Sequence, residues 1–292
     1  MPKTQNLPLG IALMVLVTMI FAIQDAFSRH LAEHVSIWMV VAIRYWFFAA
    51  LAIALAARAS GGLKASIRSK RPVAQILRGL LIVAEILVMI YSFKLLGLVE
   101  THAVFSVYPL LISVLSGPIL GEVVGWRRWA AVGVGFVGVL IVLQPGSGVF
   151  SPLALLPFAA AGMFAAYGLL TRYVSSEDAG SVSFLWNAVL GAVVMTIPGL
   201  MHWQDLSLQD WGYLAALCIA GSLSHWLMIR AYEVAEASAI QPFAYLQLVW
   251  IAFIGVFFFG ETLRDNVILG GAIVVLAGLF TLLRARAKAT GH

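Results

Sequence analysis

The residues of this 292-residue chain that could do chemistry are polar and ionisable groups set inside apolar runs. Gln24 and Asp25 fall in the first run and Arg44 in the second. Glu85 and Tyr91 fall in the third, Ser106 and Tyr108 in the fourth. The second half adds Asn187, then Ser224 and His225, then Gln241, Tyr245 and Gln247. Such groups are costly away from water, so each is a functional candidate by default. The chemistry they allow is recognition and proton exchange. A guanidinium can hold a carboxylate, amides and phenols can orient a polar solute, and a carboxylate or imidazole can carry a proton.

Depth along the helices sorts these candidates. Asp25 lies about six residues, roughly 9 Å, before the end of its run, and Arg44 about eight residues, roughly 12 Å, from the same side. The depths match closely enough to predict an Asp25–Arg44 pair, either a structural ion pair or a gate in which Arg44 attracts a substrate carboxylate. Glu85 lies about 15 Å deep, near the midplane. Asp25, Glu85 and His225 are the candidates for coupling or gating. Gln24, Arg44, Glu85, Tyr91, Tyr108, Trp186, Asn187, His225, Tyr245 and Gln247 are the candidates for substrate binding. The aromatics among them, with Trp250, could line an apolar pocket with polar tips, although most aromatics in such runs only pack.

Two other chemistries are set aside. Gly133-Val134-Gly135-Phe136-Val137-Gly138 satisfies the dinucleotide fingerprint, but it lies inside an apolar run with no strand before it. Small residues there allow close helix packing instead. The six histidines are scattered at 30, 34, 102, 202, 225 and 292. Cys218 is the single cysteine and sits in an apolar run. No metal site, cofactor or disulfide is expected, and no enzyme constellation.

The elements that position these groups are membrane spans. Apolar residues make up 62% of the chain and charged residues 11%, against roughly 45–50% and 25% in soluble domains. The reading is an all-α integral membrane protein with lipid as part of its solvent. Ten apolar runs fit: 8–31, 36–57, 75–96, 100–120, 127–143, 152–174, 181–201, 211–231, 237–259 and 266–283. The first is too long for a signal h-region and has no clean cleavage site, so it reads as a retained helix. The net charge of +5 does not point to nucleic acid, because the cations sit in short gaps between runs. With the N-terminus inside, the inner gaps hold Lys3, the five basic residues from Arg58 to Arg71, Arg127, Arg128, Arg172, Arg230, Arg284, Arg286 and Lys288. The outer gaps hold only Arg29, Lys94 and Arg264. The positive-inside rule then puts both termini in the cytoplasm. Trp38, Trp126, Trp129, Trp203 and Trp211 lie near run ends, as an interfacial belt requires.

The chain also repeats itself. Phe21-Ala22 with Ser28-Arg29 matches Phe164-Ala165 with Thr171-Arg172, and Leu120-Gly121-Glu122 matches Phe259-Gly260-Glu261. A Gly-rich run follows each Gly-Glu pair. The expected halves are 1–146 and 147–292, five helices each. An odd number of helices forces the second copy to enter from the opposite side. Two inverted repeats of this kind place a site near the midplane, in a central cavity, and let the halves rock about it. The Gly-Glu pairs read as structural: glycine ends one helix and glutamate favours the start of the next. Pro109 and Pro242 are expected to kink the fourth and ninth spans.

This pattern resembles the drug/metabolite transporter superfamily in its duplicated ten-helix form with two EamA-type repeats. The resemblance rests on the two Gly-Glu pairs, the Gly-rich helices after them and the stretch from Tyr232 to Gly278, and it covers nearly the whole chain. Within the family the chain is most similar to bacterial inner-membrane exporters of amino acids, aromatic ones included. The resemblance implies a basket-like bundle whose cavity is lined mainly by the third, fourth, eighth and ninth helices. It also implies export of small organic solutes by a monomer or weak homo-oligomer. The competing readings are uptake or exchange of another metabolite, a vitamin or nucleotide-like compound, and an intramembrane enzyme.

Overall fold

The computed structural model describes residues 6–58, 62–122, 125–143 and 152–289. Lys3 and the expected junction at 146–147 lie outside the described residues, as does the side chain of Pro242. The elements are α1 (Leu7–Ala32), α2 (Ile37–Arg58), α3 (Gly62–Ile67), α4 (Pro72–Leu96), α5 (Leu98–Phe105), α6 (Tyr108–Leu120) and α7 (Trp126–Leu143). They continue with α8 (Leu155–Val174), α9 (Gly180–Met201), α10 (Leu208–Val234), α11 (Ala237–Ala244), α12 (Leu246–Phe259) and α13 (Asp265–Ala289). All described secondary structure is helical. Eight candidate spans are long and apolar enough to cross a membrane among the described residues, α5–α6 and α11–α12 each counting as one. The apolar helices α7 and α13 pack on each other and complete the ten expected segments.

The surface is inverted relative to a soluble protein. Ile197, Phe257 and Phe258 are mostly exposed, while Arg44, Arg78, Glu85 and Asn187 are buried. Water could not cover that exterior, but hydrocarbon can, and the polar groups gather where other protein groups meet them.

Helix ends follow local sequence. The Asn6 side chain accepts from the Leu9 N–H at 3.1 Å, capping α1. Gly121 and Gly260 close α6 and α12 with φ of +72° and +63°, a left-handed turn that side chains with a Cβ resist. The fourth span breaks at Ser106–Val107, just before Pro109, and the ninth at Tyr245. Each break leaves an eight-residue piece, α5 or α11, on one side. At 1.5 Å per residue the breaks fall about 12 Å inside the bundle. Interrupted spans of this kind are where transporters hold solutes.

The packing is nearly unchanged when the halves are exchanged. α1 packs on α10 as α4 packs on α8. α1 meets α12 as α8 meets α6, while α2 pairs with α9 and α7 with α13. The loops sort into two ends. At the end where α1 begins, Asn6 N–H donates to Val234 O at 2.8 Å and Trp186 Nε1 donates to Ile67 O at 3.0 Å. At the other end, Ser36 N–H donates to Gln204 at 3.1 Å and Arg264 meets Glu100 at 2.7 Å. These are called the N-terminal face and the far face. The second half begins at the far face, so the two five-helix halves run in opposite senses. Close approach of α2 and α9 rests on Gly191 and Gly199. A Cβ at Gly191 would lie 2.1 Å from the Tyr45 ring, and one at Gly199 would lie 2.2 Å from the Ala42 Cβ.

Candidate functional site

A narrow cavity of about 30 Å³ lies between the halves. α1 supplies Phe21, Gln24, Asp25 and Ser28, and α2 supplies Arg44. Glu85, Met89 and Phe93 face it from α4, and Phe105 from α5. The second half adds Phe164, His225 and Gln247 from α8, α10 and α12. The walls therefore come from the first, second and sixth spans as well as the third, fourth, eighth and ninth. The four residues of α1 correct the expected lining. They arise because α1 packs along α10, α11 and α12, which turns one of its faces to the axis.

The polar groups form one connected chain. Arg44 Nη2 donates to Gln24 Oε1 at 2.9 Å and lies 3.2 Å from His225 Nε2. Gln24 Nε2 donates to Asp25 Oδ1 at 3.2 Å. Asp25 Oδ2 accepts from Gln247 Nε2 at 3.2 Å and lies 3.1 Å from His102 Nε2. Gln24 thus stands between Arg44 and Asp25. The expected direct pair does not form, because consecutive residues of a helix point about 100° apart and it is Gln24 that faces α2. Arg44 has no carboxylate within ion-pair distance among the described residues. Glu85, on the same cavity and 5% exposed, has no hydrogen-bond or ion-pair partner among them. A guanidinium with no carboxylate at ion-pair distance and a carboxylate with no hydrogen-bond partner therefore face one desolvated space, where their charges act on each other without contact. Either is costly to bury alone, and together they suit a solute carrying both signs of charge.

The other candidates lie elsewhere. Tyr108 is buried beneath the cavity, its ring 4.8 Å from both Phe105 and Phe164. Asn187 donates to Tyr167 Oη at 2.9 Å in the packed core. Tyr245 is buried but does not line the cavity, and its hydroxyl has no partner among the described residues. Tyr91 is half exposed on the outer side of α4. Trp186 lines a separate apolar groove with Ile53, Ile67 and Val193. Trp250 lines another with Phe27, Phe253 and Phe258. Sequence reasoning passed over His102, which packs its ring on Phe93 and joins the network at Asp25. The signal for it was a histidine inside an apolar run.

Each Gly-Glu pair closes one face, by a route the repeat alone did not reveal. Glu261 accepts from the N–H groups of Leu98 and Val99, both at 2.9 Å, and pairs with Arg29. Glu122 accepts from the N–H groups of Ala237 and Ser238 at 3.1 and 3.2 Å, with Arg172 Nε 3.9 Å away. Each glutamate caps the broken span of the opposite half and does not start its own next helix. The dipole argument holds, since the anion sits at a helix N-terminus, but the helix belongs to the other repeat. Arg29 lies one turn beyond Asp25 on α1, so cavity and far-face clamp share one helical face.

Comparison with known proteins agrees with this architecture. The EamA-like transporter family matches residues 8–144 and again 151–284. An S-adenosylmethionine uptake transporter of Rickettsia bellii is 28% identical over 96% of this chain and 94% of its own length. A riboflavin transporter of Vibrio cholerae is 34% identical over 61% of this chain and 60% of its own length. One solved structure superimposes with a TM-score of 0.71 at 17% identity, covering 94% of this chain and 97% of the other, which speaks to fold alone. These relatives are transporters of metabolites other than amino acids. The resemblance to amino-acid exporters is therefore not what they support.

Proposed function

The chain belongs to the EamA-like transporter family, and from that premise we propose that it takes up a zwitterionic, ring-bearing metabolite of the S-adenosylmethionine kind. The observation that carries this reading is that Arg44 and Glu85 both line one aromatic-walled cavity. Arg44 would receive the substrate carboxylate, exchanging its neutral partners Gln24 and His225 for a charge-assisted pair. Glu85 would face the ammonium or sulfonium. Phe21, Phe93, Phe105 and Phe164 offer faces and edges to the purine-like ring. The full-length similarity to an uptake transporter supports direction and substrate class together.

Alternating access follows from the two clamps. In the described state both Glu–Arg clamps are formed and the cavity, at about 30 Å³, is too narrow for the solute, so binding needs the halves to part. Withdrawing Arg44 from the Gln24 carbonyl leaves Gln24 with its Nε2 bond to Asp25, one turn from Arg29. Substrate binding then bears on the far-face clamp through α1. We place the N-terminal face in the cytoplasm, from the distribution of lysine and arginine, in a bacterial inner membrane. We keep the repeat boundary at 146–147, a reading supported by the two family segments at 8–144 and 151–284.

The test is flux into proteoliposomes of labelled S-adenosylmethionine, riboflavin and aromatic amino acids in parallel. S-adenosylmethionine is expected to enter, and E85Q and R44Q to reduce its entry at least tenfold, each losing one charge-assisted contact. Entry of riboflavin alone, which lacks the zwitterion, would assign the other relative's substrate and leave Glu85 without this role. Flux of aromatic amino acids alone would restore the exporter class.

A further inference from the structure

Below the cavity a second guanidinium is buried without an ion-pair partner, joined to the Asp178 carboxylate only through Gln75. Arg78 is fully buried, and no carboxylate lies within ion-pair distance among the described residues. Its Nη1 donates to Gln75 Oε1 at 2.6 Å and to Ser183 O at 3.1 Å. Its Nη2 reaches Tyr167 Oη at 3.4 Å, and its Nε has no partner among the described residues. The neighbouring Asn187 Oδ1 is likewise buried and unpartnered. A cation matched only by neutral dipoles, with donor capacity left over, is built to accept an anion that is not always present.

Its position says which anion. Arg78 and Glu85 are seven residues apart on α4, on one face and about 10 Å apart along the axis. Arg78 is the one nearer the N-terminal face. Tyr167 stands between the two arginines. Arg78 lies 5.2 Å from its ring centre, and that ring meets the His225 ring edge-on at 6.2 Å. His225 in turn touches Arg44. Beyond Arg78 a polar plug closes the N-terminal face, where Gln75 Nε2 donates to Asp178 at 2.8 Å and the Lys70 N–H donates to it at 2.8 Å.

We propose that Arg78 is a second carboxylate-binding position, occupied on the N-terminal-face side of the transport path after the substrate leaves Arg44 and the Tyr167 ring swings aside. The proposal rests on the zwitterionic-substrate reading above. A bound carboxylate would compete with Gln75 for Arg78, releasing Gln75 from its place against Asp178 and loosening the plug as the substrate arrives.

The test compares the two faces. Half-saturating concentrations are measured from each side of oriented proteoliposomes for S-adenosylmethionine and for its decarboxylated form, which keeps the sulfonium and ring. In R78Q the value for the carboxylate-bearing compound is expected to rise about tenfold or more from the N-terminal face and less than twofold from the far face. The decarboxylated compound should be unaffected from either face. R78K retains the charge without the planar fork. It should recover part of the affinity, and if R78Q does not fold it should show the same face-selective rise at smaller size. Equal changes from both faces, or for both compounds, would make Arg78 a purely structural group and overturn the proposal. Wild-type protein moving neither compound would overturn the substrate reading and this proposal together. Wild-type flux with no face-selective effect in either variant would overturn this proposal alone.

Discussion

The far-face and N-terminal-face clamps are built from the same parts, yet they are not equally tight. On the far face Glu261 bonds two backbone N–H groups at 2.9 Å and pairs with Arg29, whose guanidinium also lies 4.3 Å from the Phe259 ring centre. On the N-terminal face the backbone bonds to Glu122 are 3.1 and 3.2 Å. Arg172 Nε stays 3.9 Å away, because its Nη1 is committed to Tyr232 O at 2.8 Å. That face compensates with more deeply buried contacts, whereas the far face adds more exposed ones, His34 with Asp210 at 2.8 Å and Gln204 with the Ser36 N–H at 3.1 Å and the His34 carbonyl at 3.0 Å. Asp178 gathers Ser69, the Lys70 N–H and Gln75, and Glu233 receives the Gly180 N–H and Arg230. Duplication supplied two copies of one latch, and divergence left the far face with the closer latch beside exposed contacts and the other with a looser latch beside buried ones. Opening the far face should therefore turn on fewer residues.

The largest effect that tests this difference comes from the glutamates. With Cys218 replaced by serine, a cysteine at Ser28 reports on cavity access through its reaction with an impermeant maleimide. E261Q should raise its labelling from the far face about tenfold or more, the scale of losing one charged hydrogen-bonding group. E122Q should raise labelling from the N-terminal face by only about threefold, since the surrounding contacts remain. Equal increases would show that the latches are equivalent despite their geometry.

Next come the arginines. R29K keeps the charge but loses the planar fork and much of the contact with Phe259. A rise of roughly threefold in far-face labelling is expected. R172K should change N-terminal-face labelling less than about twofold, because at 3.9 Å the pair contributes little. A larger effect at Arg172 than at Arg29 would reverse the ranking. Smallest is R264A. Arg264 and Glu100 are 2.7 Å apart but both more than a third exposed. Their loss should shift far-face labelling by less than about 1.5-fold, the low end of the range for an exposed ion pair. A shift as large as that of E261Q would move the latch outward to this pair.

Several features are legible in the amino-acid order itself, each for a local reason. The spans from Ile37 to Arg58 and from Gly180 to Met201 begin and end within a residue or two of their expected bounds, because hydrocarbon thickness fixes how long an apolar run must be. Gly121 and Gly260 end their helices because only glycine takes positive φ without cost. Gln24, Asp25, Arg44, Glu85, His225 and Gln247 meet at one cavity because polar groups near the midplane have few places to go. Depth is counted along the chain at about 1.5 Å per residue, so it can be read from sequence.

Rotation about a helix axis cannot be read in the same way. A spanning helix is apolar towards lipid and apolar towards its neighbours, so composition does not mark which face is inside. Tyr91 and Glu85 share α4 and similar surroundings in sequence, yet Tyr91 faces outward and Glu85 the cavity. Trp186 and Asn187 are adjacent, and one lines an outer groove while the other is buried against Tyr167. The same limit explains the placing of Gln24 between Arg44 and Asp25. The sequence by itself determined how many apolar segments there are, that they form two opposed copies, and at what depth the charges lie. Only the tertiary structure decided which charges meet, and that each Gly-Glu pair latches the other copy, because those contacts join residues far apart along the chain.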